Sequence, residues 1–505
     1  MTSQHRRTEV LIVGAGPTGL LLAYVLGLNG VKVRLIERRE GPVQQSRAMV
    51  VQARTLESYD MFGLADGAIK LGMKLEDGQI LVNGQKRSSF SLRSMARVST
   101  KFPFVLALPQ DEHEEFLLSA LAALGIFPEW NTELVELEDR KDFVKAALRV
   151  ADSVKEWHET QWLVGCDGAS SVVRSNLGLG FEGGWSEGTF FVADVKTVPS
   201  QACVSFSFGP DDVTLMLPVR GSDTHRIIGV VPKNAERSLA QFSIMEPHLQ
   251  KLLQVQLHKL NWFSTYHIHH RVADHYRRGN CFIAGDAAHV HSPIGGQGMN
   301  TGLGDAINLG WKLAAVVKRG ASEALLNTYE SERMPIAARL VKTTDRLFSA
   351  MVSKRWLSRQ LRRWIAPAIF SSVVQSSFVL RILFKLVSEV RINYRGGPLS
   401  LGRYGKIVSG DRLPWIKDLM VLEYLDGLSW SAVSFGDREP AVLGRLAGDG
   451  FKIIHRPLTS AARREGFRTN TIYLVRPDGY IGLVSRKPTY RNIAKYMKEH
   501  HLVPS

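Results

Sequence analysis

The chain alternates between two patterns of apolar residues. Val10–Val13 is short, apolar and rich in β-branched residues, the mark of a buried parallel strand. It is followed by the glycine-rich segment GAGPTG at 14–19 and a helical stretch over Leu20–Asn29. A second strand, Lys32–Ile36, closes on Glu37. The same design returns twice: a strand from Trp162 runs into Asp167-Gly168, and a strand from Cys281 runs into Gly285-Asp286, with a helix predicted over Asp305–Val317. Between these segments the period shortens. Ala202–Phe208, Thr214–Leu217 and Arg226–Val231 read as antiparallel strands with one buried face. Near the end, Ile472–Val484 is two apolar runs around Pro477-Asp478-Gly479, where proline presets φ and glycine takes the positive-φ position of a turn. The pattern predicts an α/β protein with an inserted antiparallel sheet and a separate C-terminal unit from about Pro398.

The first loop carries the most chemistry. Gly14 permits a tight turn, Gly16 lets a pyrophosphate approach the backbone, and Gly19 lets helix and strand pack closely; Ala15, Pro17 and Thr18 complete the loop. The helix start presents free N–H groups and partial positive charge to phosphates. Glu37 is placed to accept hydrogen bonds from ribose hydroxyls and would repel a 2′-phosphate. The loop alone leaves NAD and FAD open. A late glycine-rich run, Ser292 to Gly302, leads into a helix and offers further N–H donors, suited to an electron-rich ring as well as a phosphate. A nicotinamide dehydrogenase has no need of it.

Composition narrows the classes. The chain has 505 residues, 45% hydrophobic and 22% charged, which excludes a disordered, collagenous or polytopic membrane protein. Its net charge of +16 favours anionic partners, phosphate-bearing cofactors among them. No recognisable nucleic-acid module accompanies the charge, so no nucleic-acid partner is expected. The three cysteines, Cys166, Cys203 and Cys281, form no CxxC pair; a disulfide framework or zinc site is not expected and a cytoplasmic setting is the default. Residues 346–395 hold ten Lys/Arg and one acid, Glu389. The uncharged stretch Trp364–Leu380 contains Pro367, Gln375 and four serines, which makes a poor spanning helix. The segment reads as basic amphipathic helices packed between domains; attraction to an anionic membrane surface is the lesser reading.

Together the three motifs resemble the class A flavoprotein aromatic hydroxylases, built on the p-hydroxybenzoate hydroxylase fold, and the resemblance spans nearly the whole chain. It implies a Rossmann-like FAD-binding domain (1–74, 103–187, 272–345), an inserted antiparallel-sheet substrate domain (75–102, 188–271), a basic helical linker (346–397) and a thioredoxin-like C-terminal domain (398–505) without CxxC. It implies FAD, with Gly14, Gly16 and Gly19 on the pyrophosphate, Glu37 on the ribose, and Arg38 and Arg47 near the adenosine and pyrophosphate. Gln110 and Asp286 would lie along the ribityl chain and Leu134 would contact adenine through its backbone. Gly285, Pro293, Gly296, Gly298, Met299 and Asn300 belong to the third motif, the last three facing the flavin pyrimidine. Asp167 is similar to a fingerprint associated with both FAD and a transient NADPH or NADH, though it also reads as a helix cap; His289 reads as a packing or hydrogen-bonding residue.

The implied activity is NAD(P)H- and dioxygen-dependent hydroxylation of an aromatic or polycyclic, phenolic or polyketide-like compound through a flavin C4a-hydroperoxide, by a monomer or homodimer. The same scaffold also supports epoxidation, oxidative ring opening, antibiotic inactivation or hydroxylation of a membrane-borne quinone precursor. No protein base is apparent. Met49 stands where phenol-hydroxylase relatives carry an acid, which points to a larger or less polar substrate.

Overall fold

The structure, a computed structural model, describes residues 8–44, 48–91, 100–150, 155–198, 203–209, 213–219, 223–231, 242–290, 295–352, 382, 384–385 and 387–502. Four strands lie parallel at its centre: β1 (Thr8–Val13), β2 (Val33–Ile36), β10 (Glu156–Gly165) and β17 (Cys281–Ile283), in the order β17-β10-β1-β2. The antiparallel pair β8 (Thr132–Asp139) and β9 (Val144–Val150) joins the first half of β10, and β16 (Arg277–Arg278) edges β17. Val10, Leu11 and Ile12 are fully buried, as their continuous apolar run requires of a strand covered on both faces. Helix α1 (Pro17–Leu28) packs against α4 (Gln110–Ala122) and α7 (Gly298–Arg319).

Eight strands form the second sheet. Its order is β18 (His289–Val290), β15 (Gln256–Ala273), β11 (Phe181–Val198), β14 (Thr224–Val230), β13 (Val213–Pro218), β12 (Val204–Phe208), β5 (Asp77–Val82) and β6 (Gln85–Ser91). All neighbours are antiparallel except β12 and β5. On one face Phe191, Ala193, Met216 and Ile227 pack against α6 (Phe242–Leu253). On the other, Val204 and Leu217 meet Met49, Leu75 and Ala107, from and beside a small sheet of β3 (Val50–Val51), β7 (Val105–Ala107) and β4 (Met73–Leu75). Alternation along each strand separates the two faces.

The C-terminal sheet runs β22 (Lys452–Arg456), β21 (Ser431–Phe435), β23 (Ile472–Val475), β24 (Ile481–Ser485), with β21 and β22 parallel. Helix α9 (Val442–Gly448) joins the parallel pair, α10 (Ser460–Glu465) follows, and α11 (Tyr490–Glu499) is the last described element. The turn between β23 and β24 is the Pro-Asp-Gly turn, with Gly479 at φ +77°. It plugs into the first sheet's helices. Glu332, in α8 (Asn327–Val352), accepts from Arg476 (2.6 and 2.8 Å), Lys312 (2.8 Å) and Asn308 (2.8 Å). Asp478 accepts from Trp311 Nε1 (3.1 Å) and Arg476 (2.6 Å). Arg54, in α2 (Ala53–Met61), donates to the Asp478 carbonyl (2.6 Å). These buried charges are all paired, as charges out of water must be.

Two helix starts differ from the sequence reading. Helix α1 begins at Pro17 rather than Leu20, because proline suits the first helical position. Helix α7 begins at Gly298 rather than Asp305. Its glycines look like a loop in sequence but serve close packing: a Cβ on Gly302 would stand 2.6 Å from Thr18 Oγ1 and 3.1 Å from Gly285 Cα. Most of the basic segment, including Trp364–Leu380, lies outside the described residues. Among the described residues no helix is long and apolar enough to cross a membrane.

Candidate functional site

The ends of β1, β2 and β10 open on a cleft of about 220 Å³ lined by Gly14, Gly16, Glu37, Arg38, Gln110, Leu134 and Asp167, among others. Gly14 has φ +106°, and a Cβ there would lie 2.4 Å from the Cys166 carbonyl oxygen. A Cβ on Gly19 would sit 1.9 Å from the Gly14 carbonyl oxygen. Only hydrogen fits at either place, so the loop stays tight against β10. At Gly16 a Cβ would meet nothing within 4 Å; there the bare backbone faces the open cleft, where the start of α1 leaves N–H groups without helical partners.

Glu37 is 7% exposed and anchors this loop. Its carboxylate accepts from the Ala15 N–H (2.9 Å) and the Arg39 N–H (3.1 Å), and pairs with the Arg39 guanidinium. Burial opposes the charge, but the Arg39 side chain and the two N–H groups outweigh it and hold the carboxyl below its ordinary value. Arg39 also faces Glu114 at 3.6 Å, and Glu114 accepts from Gln110 Nε2 (2.9 Å). Arg38, chosen from sequence, is exposed beside the cleft. The inward Arg39 and Glu114 were missed; a strand-end Glu-Arg-Arg with an acid one turn into α4 was the available signal.

Asp167 does cap a helix. Its carboxylate accepts from the N–H groups of Val172 (2.7 Å) and Val173 (3.1 Å) at the start of α5 (Val172–Asn176), and from Ser171 Oγ (2.5 Å). Burial nevertheless pushes the carboxyl above its usual value.

The third motif lies against the first. Thr18 fills the space between Gly285 and Gly302, so Ala15, Pro17, Thr18 and Gly19 build the loop rather than line the cleft. Asp286 is exposed in a short turn, Gly285–Ala287. Asp305, absent from the sequence-based selection, holds that turn: it accepts from the Gly285 N–H (3.1 Å), His289 Nε2 (2.8 Å) and Arg333 Nε (2.6 Å). Burial resists its charge, yet Arg333 and His289 prevail and keep the carboxyl low. His289 is 1% exposed and serves as a hydrogen-bonding residue in the core.

Gly298, Met299 and Asn300 form the first turn of α7, whose N–H groups have no acceptors within the helix. The Asn300 side chain is fully used elsewhere: Oδ1 accepts from the Gln52 N–H (2.9 Å) and Thr55 Oγ1 (2.8 Å), and Nδ2 donates to the carbonyls of Val50 and Gly296. What this residue offers a ligand is its backbone. Gly296 packs on Val50. Arg47 and Pro293 lie outside the described residues.

A cleft with a bare-backbone loop, an acid at the second strand's end and a second helix start across the motif fits the pyrophosphate, ribose and ring of a flavin dinucleotide. The family model described as "FAD binding domain" matches residues 7–344, well over half of the chain. The chain belongs to this family. Curated relatives of this flavoprotein include the 6-methylpretetramide 4-monooxygenase of Streptomyces rimosus, 36% identical over 78% of this chain and 71% of the relative. The pentachlorophenol 4-monooxygenase of Sphingobium chlorophenolicum is 32% identical over 81% and 76% of the two chains. Among solved structures, the anhydrotetracycline hydroxylase from Streptomyces rimosus superposes with a TM-score of 0.77 at 26% identity, covering 99% of this chain and all of the other. The protein is an FAD-dependent aromatic monooxygenase of the class that draws its electrons from NAD(P)H.

Proposed function

We propose that this monooxygenase hydroxylates a polycyclic, phenolic or polyketide-like compound held between the flavin ring and the inner face of the eight-stranded sheet. The observation that carries this reading is the apolar floor of that face. Met49 is 3% exposed among Leu75, Ala107, Val204 and Leu217, with Phe206, Leu215 and Ile228 beside them. Met49 places an apolar side chain, not an acid, on this floor, which favours a broad apolar ring system over a small phenol. The names of the relatives, which include a pretetramide and a tetracycline enzyme, support the same choice.

In this reading FAD lies along the cleft, its pyrophosphate at the loop that Gly14 and Gly16 line and Gly19 keeps closely packed, its ribose at Glu37, its adenine at Leu134, with Arg38 alongside. Gln110 and Asp286 flank the ribityl chain. The first turn of α7 stabilises negative charge at the pyrimidine edge with its N–H groups. When bound and reduced by NAD(P)H, the flavin supplies the activation of dioxygen; the protein positions the ring and excludes water. Residues 1–74, 103–187 and 272–345 serve FAD, and 75–102 with 188–271 serve the substrate. The C-terminal four-stranded unit, 398–505, is thioredoxin-like with a structural role, since no cysteine follows Cys281.

The test is NADPH oxidation by the FAD-loaded protein across simple phenols, polycyclic phenols and tetracyclic antibiotics, with hydrogen peroxide measured in the same wells. Faster NADPH loss without matching peroxide for the polycyclic compounds is expected. Coupled turnover confined to simple phenols would overturn the reading.

A further inference from the structure

Glu389 is a buried carboxylic acid that none of the flavin motifs uses. It is 6% exposed and has φ +59°, a conformation that a residue with a Cβ adopts only when its surroundings hold it there. Its neighbours explain the hold. Gln297 Nε2 donates to the Val387 carbonyl (3.4 Å), the Arg54 N–H donates to the Ser388 carbonyl (3.1 Å), and Arg333 Nη1 donates to Tyr394 Oη (3.2 Å). The segment 387–394 is thereby fastened to the start of α2, to the residue that precedes α7, and to α8. Glu389 itself borders a cavity of about 30 Å³, lined mostly by polar and charged residues, at the junction with the C-terminal unit, of the order of a water or two in size.

The decisive geometry is at Thr301, in the turn of α7 that follows Gly298–Asn300. Its Oγ1 lies 2.9 Å from the Gln297 carbonyl oxygen and 3.1 Å from Glu389 Oε1. A hydroxyl has one proton to donate and can accept as well. If Glu389 is protonated, it donates to Thr301, which donates to Gln297, and every group is satisfied. If Glu389 is ionised, it competes with Gln297 for the single hydroxyl proton. The Gln297 carbonyl also accepts the Thr301 N–H (2.8 Å) and so closes the first turn of α7. We propose that Glu389 is a positioning residue for the flavin-facing turn of α7, acting through Thr301 and exchanging a proton with solvent as it does so.

The charges around it bear on that exchange. Arg333 from α8 and Arg54 from α2 favour the carboxylate; Asp305 from α7 opposes it. Asp478 and Tyr480 from the C-terminal turn, and Tyr394 on its own segment, face the same cavity. Burial dominates and pushes the carboxyl up to about 7, against the pull of Arg333 and the Thr301 hydroxyl. Near neutrality the group therefore changes charge directly behind the helix turn proposed to meet the flavin pyrimidine edge. An added negative charge there opposes the negative charge of the reduced ring.

The inference rests on that placement of α7, so the experiment separates the two. The flavin reduction equilibrium of the holoenzyme is measured against a reference dye at about pH 6 and about pH 8, for the wild type and for Glu389→Gln, Thr301→Val and Met299→Pro. Relative to Glu389→Gln, the wild type is expected to lose roughly three- to tenfold in the equilibrium on going to the higher pH, the size of a charge acting on a helix end. Thr301→Val, which keeps the charge and removes the link, is expected to shrink that step and provides the test should the glutamine variant fail to fold. Met299→Pro removes one N–H of the first turn and is expected to disfavour reduction equally at both pH values. A wild-type to variant ratio that does not change with pH, while Met299→Pro shifts the equilibrium, overturns the role of Glu389. Silence of Met299→Pro as well overturns the placement of α7 at the flavin.

Discussion

Single atoms decide whether the nucleotide cleft exists. Gly302 lies inside a helix, where an alanine would ordinarily be preferred, yet its Cβ would press on Thr18 and on the backbone of Gly285. Gly302→Ala is expected to cost about 1–3 kcal/mol of stability by overpacking and to weaken FAD retention, read from urea unfolding and from flavin released on gel filtration. Unchanged unfolding would show that the first and third motifs are not wedged together at Thr18. Glu37 acts through charge. Its carboxylate takes the Ala15 N–H and the Arg39 guanidinium at once. Glu37→Gln is expected to weaken FAD binding roughly tenfold or more, the loss of a charge-assisted hydrogen bond, measured by fluorescence quenching as the apoprotein is titrated. An unchanged dissociation constant would remove Glu37 from the site.

At the scale of elements, the parallel strands and their glycine loops are plain in the sequence, because a buried strand, a tight turn and a helix start each demand specific residue types over a few positions. The Pro-Asp-Gly turn is plain for the same reason. Its partner is not: nothing local in Arg476-Pro477-Asp478 announces that Glu332, Lys312 and Trp311 await it more than a hundred residues earlier. The early start of α7 was hidden by Gly302 and Gly304, which propensity reads as loop and packing requires as glycine. Arg39, Glu114 and Asp305 escaped because their roles come from contacts between elements, whereas Gly14, Gly16 and Glu37 act within one strand-loop-helix unit. The turn's importance is testable. Asp478→Ala strips Arg476 and Trp311 Nε1 of a buried acceptor, and breaking such a pair typically costs about 3–5 kcal/mol. Proteolysis is expected to cut between the α8 region and β21 before the flavin-binding sheet is lost. Simultaneous loss of both units would mean that the turn is not the fastening between them.

The whole molecule should be most stable in a window bounded by two sets of carboxyls. Glu37, Asp305 and Glu332 are all held below their ordinary values; for Glu332 burial pushes the other way, but Arg476 and Lys312 bring it down to about 2. A lowered folded-state value means stability that is present above the ordinary carboxyl range and lost as pH falls through the folded value. The loss begins near the ordinary value of 4.5 and is complete for Glu332 only near 2. Glu389 has the opposite sign. Its raised value gives stability present below the ordinary range and lost as pH rises through about 7. Glu37 holds the flavin loop, Asp305 the third motif and Glu332 the C-terminal turn, so acid should loosen all three over the same range, releasing FAD in that transition. Glu332→Gln is expected to lower stability by about 3–5 kcal/mol at neutral pH and to flatten the acid limb by the proton that Glu332 no longer binds on unfolding. Glu389→Gln is expected to leave the acid limb alone and flatten the fall in stability between the ordinary value of 4.5 and about 7. Denaturant midpoints of the holoenzyme across the pH range, for the wild type and both variants, read all of this at once. Parallel acid limbs for the wild type and Glu332→Gln would show that the buried network does not carry the acid sensitivity.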